Sequence, residues 1–233
     1  MILLALESAT SVCSVALCDA AGQALSHRRG ERAPDQADRL IELVDDALRE
    51  AALDYDALDV IAVNHGPGSF TGVRTGVAAA RGLALALGRP VLAVNTLEVL
   101  AATLGPQPAG TIVAALDARR GQVYLQSFDH RLAPLGAPRV SAPQEIRLDD
   151  RAPPIRLVGN GAALILAALP EPAPIVSADV EVDALGVARR ALARLVAGER
   201  ARPGQEVQPL YLRPPDARLP APRPALTGAA VGA

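Results

Sequence analysis

Apolar residues in this chain recur first with the period of a strand and then with that of a helix, and this switch within the first hundred residues constrains the fold most. Ile2 to Leu6, Val12 to Leu17 and Ala24 to Arg28 read as strands, with a turn at Ala20 to Gln23. In "PDQADRLIELVDDALREAAL", Ala37, Leu40, Ile41, Val44, Leu48 and Ala51 follow i, i+3, i+4, i+7 spacing behind the start signals Pro34 and Asp35. That spacing predicts an amphipathic helix from Asp35 to Ala52. A buried strand (Asp59 to Asn64), a helix over about Thr71 to Leu87, a stop at Gly88 to Pro90, a strand at Val91 to Val94 and a short helix follow.

The second half repeats the logic of the first. "TIVAALDARRGQVYLQSF" runs strand, acidic residue, turn, strand, as "ILLALESATSVCSVAL" does, and it places Glu7 and Asp117 at equivalent points. The repeat suggests two related lobes, the second starting near residue 105. One shared hairpin leaves duplication open, because strand-turn-strand is common. A strand at Ile155 to Val158, the turn "GNGA", a helix, a strand at Pro174 to Val176 and a helix from about Asp179 to Ala197 come next. Residues 214–233 are rich in Pro, Ala and Gly without periodicity, the composition of a disordered tail.

Composition excludes several chemistries. All 23 cationic residues are Arg, so a Walker A lysine, a Schiff-base lysine and a lysine general base are excluded. The formal charge of −2 supplies no basic field for unaided nucleic-acid binding. Cys13 and Cys18 lie five apart in a strand-like segment, on opposite faces, which fits a reducing, cytoplasmic setting rather than a disulfide framework. No signal peptide or membrane span is expected. His27, His65 and His130 are scattered and form no zinc motif, and no GxSxG elbow is present.

The stretch "NHGPGSFTGVRTG" carries Gly66, Gly68 and Gly72, a GxGxxxG run that is not the dinucleotide fingerprint. Two readings stay open on the residues alone. Gly66, Gly68, Ser69 and Thr71 could present N–H and hydroxyl donors to an anion at a helix N-terminus, with Glu7 and Asp117 orienting a phosphate or a hydrated Mg²⁺. Alternatively the run is a tight turn capped by Ser69 or Thr71, and the carboxylates are turn residues. Beyond it, Gly72, Gly76, Ala80 and Ala84 form a four-residue ridge that lets another helix approach closely, in the partner or in the same chain. Arg74 and Arg81 share another face.

Taken together, "ILLALESAT", "GPGSFTGVRTGVAAARGLA", "DARRGQVYL" and "PLYLR" resemble, in order and spacing, the bacterial TsaB (YeaZ) family over residues 1 to about 213. The resemblance implies an α/β, actin-like fold of the sugar-kinase and Hsp70-ATPase type, with two ribonuclease H-like lobes, the second degenerate. It divides the chain into 1–104, 105–213 and the tail. It also implies a non-catalytic subunit needed for threonylcarbamoyl transfer to adenosine 37 of ANN-decoding tRNAs, acting with the catalytic subunit TsaD and the ATPase TsaE. The implied partner surface is the two helices of the first lobe, with Leu40, Val44, Leu48, Gly72, Arg74, Gly76, Ala80, Arg81 and Ala84 as candidate contacts. A homodimer through that surface is expected without TsaD. So is tRNA contact mainly through partners, with no cofactor of its own and ATP or ADP at the complex boundary. Many relatives carry Asp where this chain has Glu7, and His where it has Gln36. Two other classes compete: an autonomous ATP-dependent phosphotransferase of the same fold, opposed by the glycine-free "ESAT", and a metallopeptidase, opposed by the missing histidine pair.

Overall fold

The computed structural model describes residues 1–30, 39–148, 150–169, 175–177 and 180–213. The start signals Pro34 and Asp35, the departure at Gln36 and the 214–233 tail lie outside them. Strands β1 (Leu3–Glu7), β2 (Ser14–Cys18), β3 (Ala24–Arg29), β4 (Val60–Asn64) and β5 (Val91–Val94) form one sheet in the order β3-β2-β1-β4-β5. β1, β2 and β3 run antiparallel to their neighbours, whereas β1, β4 and β5 are parallel. A second sheet, β10-β9-β6-β7-β8, contains β6 (Thr111–Asp117), β7 (Val123–Asp129), β8 (Arg139–Ser141), β9 (Ile155–Val158) and β10 (Ile175–Ser177).

The two sheets carry the same topology. β6 pairs antiparallel with β7, and β7 with β8, while β6, β9 and β10 are parallel, so β6 to β10 take the places of β1 to β5. The repeat suggested by one hairpin therefore extends to the whole strand order, and the actin-like pairing of ribonuclease H-like sheets is the observed fold. Sequence reading missed β8, a three-residue edge strand too short to display a period.

Helices cover the sheets in layers, which explains why β1, β2 and β4 are buried at every position. α1 (Leu40–Glu50) and α2 (Phe70–Leu87) lie on the outer face of the first sheet, over a core that includes Leu4, Leu6, Val15, Leu17, Ile61 and Val63. α3 (Thr96–Thr103) and α5 (Ala184–Val196) lie between the sheets in one cluster that joins Ala5, Ala62 and Val94 to Ile112, Phe128 and Val158. α4 (Ala162–Leu166) covers the far face of the second sheet. Cys13 and Cys18 are free and fall in different clusters, as their odd spacing requires.

Local chemistry sets the helix ends. Asn95 accepts hydrogen bonds from the N–H groups of Leu97 and Glu98 at the start of α3, and Asp183 accepts from Gly186 N–H at the start of α5. Gly88, at φ +64°, closes α2 in the left-handed conformation that glycine adopts most readily. α5 comes after the second sheet in sequence yet packs on β1 and β2 of the first. From there residues 200–213 form a strap. Its Arg202 exchanges backbone hydrogen bonds with Val91 on the β5 edge, Leu210 N–H donates to the His65 carbonyl, and Arg213 reaches Gln122 on the other sheet.

Candidate functional site

Glu7 ends β1, and the sequence places it beside a turn; the structure encloses it completely. Its Oε1 accepts from the Thr10 N–H at 2.8 Å and lies 3.1 Å from the Thr10 hydroxyl, and its Oε2 accepts from Asn64 Nδ2. Asn64 ends the parallel neighbour β4, and its Oδ1 accepts from Gly66 N–H at 3.0 Å and faces the Thr96 hydroxyl at 3.0 Å. One carboxylate thus ties β1, β4, the loop before α2 and the start of α3 together. Burial pushes the Glu7 carboxyl up from 4.5 to about 7, against the lowering effect of the hydrogen bonds from Asn64 and Thr10.

The glycines of "NHGPGSFTGVRTG" answer to the same neighbourhood. A Cβ on Gly68 would overlap the Ala9 carbonyl, and one on Gly72 would overlap the Ser8 carbonyl. One on Gly76 would sit 2.6 Å from Ser8 Oγ. The β1–β2 turn therefore rests directly on the start of α2, a close approach that only glycine permits. Several of the motif's donors are used within the chain. Ser69 N–H donates to the Ala9 carbonyl at 2.7 Å, Ser69 Oγ accepts from Gly72 N–H at 3.3 Å, and Val73 N–H donates to the Ser69 carbonyl. The Ser69 cap of the second reading is observed.

Beside this turn, a cleft of about 720 Å³ is lined by Thr10, Ser11, Gly68, Ser69, Asp117, Arg119, Tyr124 and Asn160, among others. Of the six anion candidates it brings together Gly68, Ser69 and Asp117. Glu7 and Gly66 are buried beneath it, and Thr71 is exposed on α2 outside it. Asp117 is half-buried, its carboxylate accepts from Arg119 N–H at 2.7 Å, and its own N–H donates to Asn160 Oδ1 at 2.8 Å. Asn160 belongs to the "GNGA" turn, where a Cβ on Gly161 would press on the β6 backbone at 2.9 Å. Among the described residues no cluster of His, Cys, Asp or Glu could hold a metal ion, and no helix is long and apolar enough to cross a membrane.

The expected partner contacts divide in two. Leu40, Val44 and Leu48 are buried on the inner face of α1, and Gly72, Gly76, Ala80 and Ala84 are buried between α2 and its own chain, with Ala84 against Gly204 of the strap. The small-residue ridge is thus filled from within, which corrects the expectation that it meets another protein. Arg74 and Arg81 do lie on the exposed face of α2, together with Phe70 and with Leu85, which is 86% exposed. α1 exposes Ile41, Glu42, Asp45, Asp46, Arg49 and Glu50.

Sequence reasoning missed Asn64, Thr96, Thr10 and Tyr211. The available signal for Asn64 was an amide ending an otherwise apolar run, "VIAVN", where a polar group needs a buried partner. Tyr211 donates nothing to the core; its hydroxyl accepts from Arg74 Nε at 2.8 Å and its ring lies 5.2 Å from that of Phe70.

Two outcomes follow from this packing. Gly72→Ala should destabilise the fold by several kcal/mol or prevent it, because backbone must move, whereas Gly82→Ala, with open space around it, should stabilise α2 by about 0.5–1 kcal/mol; equal melting midpoints for the two variants would refute the packing. Because the folded state favours the protonated Glu7, stability should decline as pH rises from 4.5 to about 7 and then level off, by an amount on the order of 3 kcal/mol. Urea melts of wild type and Glu7→Gln at pH 5 and pH 8 measure this. The wild-type decline should exceed that of the variant, and parallel pH dependence would mean that Glu7 is solvated.

The family model described as TsaD: tRNA N6-adenosine threonylcarbamoyltransferase matches residues 32–149. The chain is 38% identical over 130 residues to the tRNA threonylcarbamoyladenosine biosynthesis protein TsaB of Escherichia coli and 37% identical over 123 residues to that of Haemophilus influenzae. Those alignments cover 55% and 52% of this chain, and 55% and 51% of the respective relatives, so the match spans about half the length of each. An uncharacterized protein of Mycobacterium tuberculosis is 35% identical over 183 residues, 78% of this chain and 77% of that one. The solved structure of YeaZ from Pseudomonas aeruginosa superposes with a TM-score of 0.78 at 34% identity, covering 91% of this chain and 99% of that one. The chain belongs to the TsaB (YeaZ) family, within the wider group of threonylcarbamoyltransferase-related folds.

Proposed function

We propose that this chain is a non-catalytic, cytoplasmic subunit for threonylcarbamoyl transfer to adenosine 37 of ANN-decoding tRNAs, binding and activating a TsaD-type catalytic subunit alongside a TsaE-type ATPase. The relatives named for tRNA threonylcarbamoyladenosine biosynthesis support the pathway. The observation that carries the non-catalytic part is the enclosure of Glu7. A carboxylate that holds a hydrated Mg²⁺ beside a phosphate must face the cleft, and Glu7 is spent on Thr10 and Asn64 beneath it. The residues of the cleft therefore do not fit a metal-bound nucleotide, and the autonomous phosphotransferase is the weaker reading. ATP or ADP, where it takes part, belongs at the boundary with the partner.

Docking is assigned to the outward faces of α1 and α2. α1 presents Glu42, Asp45 and Asp46 together with Arg49, with Glu42 and Asp46 paired to Arg39 and Arg49, a face of net negative charge, and α2 presents Arg74 and Arg81 with no acid, so a two-fold arrangement sets the more acidic helix of one chain against the basic helix of the other. This complementarity suits a TsaD-type chain with equivalent helices and, in its absence, a second copy. Ile41 and Leu85 supply apolar surface. Leu85→Glu should leave the melting midpoint of the isolated chain within a degree or two and weaken co-elution with TsaD by about tenfold or more. Arg81→Glu should weaken it in a salt-dependent way. Normal co-elution of both variants would remove this face from consideration, and robust ATP hydrolysis by the isolated chain would restore the phosphotransferase.

A further inference from the structure

The strap segment "PLYLR" carries Tyr211, and core packing does not account for that side chain. Leu210 N–H donates to the His65 carbonyl at 2.8 Å, and His65 Nδ1 lies 3.0 Å from the Gln208 carbonyl, so the backbone leading to Tyr211 is held without its phenol. Tyr211 and Phe70 are two of only five aromatic residues in the chain, yet they are 42% and 41% exposed. Half-exposed rings at the end of an anchored strap add little to folding.

What the two rings hold is Arg74. Its guanidinium carbon sits 3.8 Å over the Phe70 ring and 5.9 Å from the centre of the Tyr211 ring, and its Nε donates to the Tyr211 hydroxyl at 2.8 Å. The rings lie 5.2 Å apart and 33° from parallel, which makes a corner for the guanidinium at the border of the exposed face of α2. An exposed arginine ordinarily samples many rotamers, whereas the cation–π contact and the Nε bond restrict this one. The rest of its fork is unspent. Among the described residues Arg74 pairs with no carboxylate and its terminal nitrogens make no hydrogen bond, whereas Arg39 and Arg49 beside it on α1 are each spent on an acid one turn away.

We infer that Tyr211 is a positioning residue for docking, holding the Arg74 guanidinium as a preset fork that receives a carboxylate of the TsaD-type partner. The inference rests on the docking face proposed above and extends it from the helices to the strap. A planar fork with both terminal nitrogens free can take two carboxylate oxygens at once. The acid is expected from a helix of the α1 kind: the outer face of α1 is net negative, α2 has no acid, and the TsaD family model matches residues 32–149, a span that includes both helices. Fixing Arg74 before contact removes an ordering cost that a free side chain would meet on binding.

The test measures Kd between the full chain and its TsaD-type partner by titration calorimetry at low and high salt, with melting midpoints of the isolated chain alongside. Tyr211→Phe keeps the ring and loses the acceptor, so the melting midpoint should stay within a degree or two while Kd rises about three- to fivefold and its salt dependence persists. Arg74→Gln should raise Kd about tenfold and flatten the salt dependence, and Tyr211→Phe should add nothing in that background. Arg74→Lys keeps the charge without the fork and should lose at least threefold. Wild-type affinity in Tyr211→Phe or Arg74→Lys, or an equal loss from Tyr211→Phe with and without Arg74, would overturn this inference alone, provided that Leu85→Glu still weakens the complex. A melting midpoint of Tyr211→Phe that falls by many degrees would overturn it in favour of a structural role. Normal TsaD binding with weakened tRNA binding by the assembled complex would overturn it in favour of a phosphate contact. A wild-type chain that binds no TsaD-type partner would overturn the docking reading and this inference with it.

Discussion

The contact between the Glu7 carboxylate and Asn64 organises the first lobe. It joins the ends of two parallel strands where water has been removed, and the same amide then fixes the loop that leads into α2. An enclosed carboxylate is costly unless every oxygen is satisfied. Thr10 and Asn64 supply the donors here, and the cost that remains shows as an acid pushed up to about 7. Removing either partner would leave a charge or an amide without its hydrogen bonds, at about 1–3 kcal/mol for each neutral group. That requirement places the Ser8–Ala9 turn against α2, and Gly68, Gly72 and Gly76 follow from it.

Much of the fold was legible in the sequence because it depends on local periodicity. Leu40, Val44 and Leu48 mark one side of α1 whatever they pack against, and "TIVAALDARRGQVYL" repeats the hairpin of the N-terminus in plain residues. What the residues pack against was not legible. A ridge of Gly72, Gly76, Ala80 and Ala84 indicates close approach without saying by whom, and the answer, the Ser8 turn and the Gly204 strap, lies 64 residues away from Gly72 on one side and 120 residues away from Ala84 on the other. Glu7 shows the same limit. Whether an acid after a strand is exposed or enclosed is decided by β4 and α3, and neither is near it in sequence.

The two lobes took one hairpin in different directions. In the first lobe the carboxylate at the end of the leading strand is sealed and the turn is pressed against a helix. In the second, Asp117 stays at the cleft surface, and its hairpin projects with two arginines in a backbone that disfavors them. Glu7 lies under Thr10, and of the two carboxylates only Asp117 reaches the cleft.

This divergence suits the accessory role proposed above. The strap is the connecting element: it closes the β5 edge through Arg202, covers the α2 ridge through Gly204, adds Tyr211 to the Phe70–Arg74 stack and ends on Gln122 of the opposite lobe. Blocking an edge strand in this way removes the backbone groups that would recruit a stray chain. The outer faces of α1 and α2, proposed above for docking, stay uncovered by the strap. Because the loop into α2 is held at Gly66 by Asn64, itself bound to Glu7, and the exposed side of α2 begins at Phe70, the geometry of that surface is set from inside the first lobe, by the buried Glu7 network.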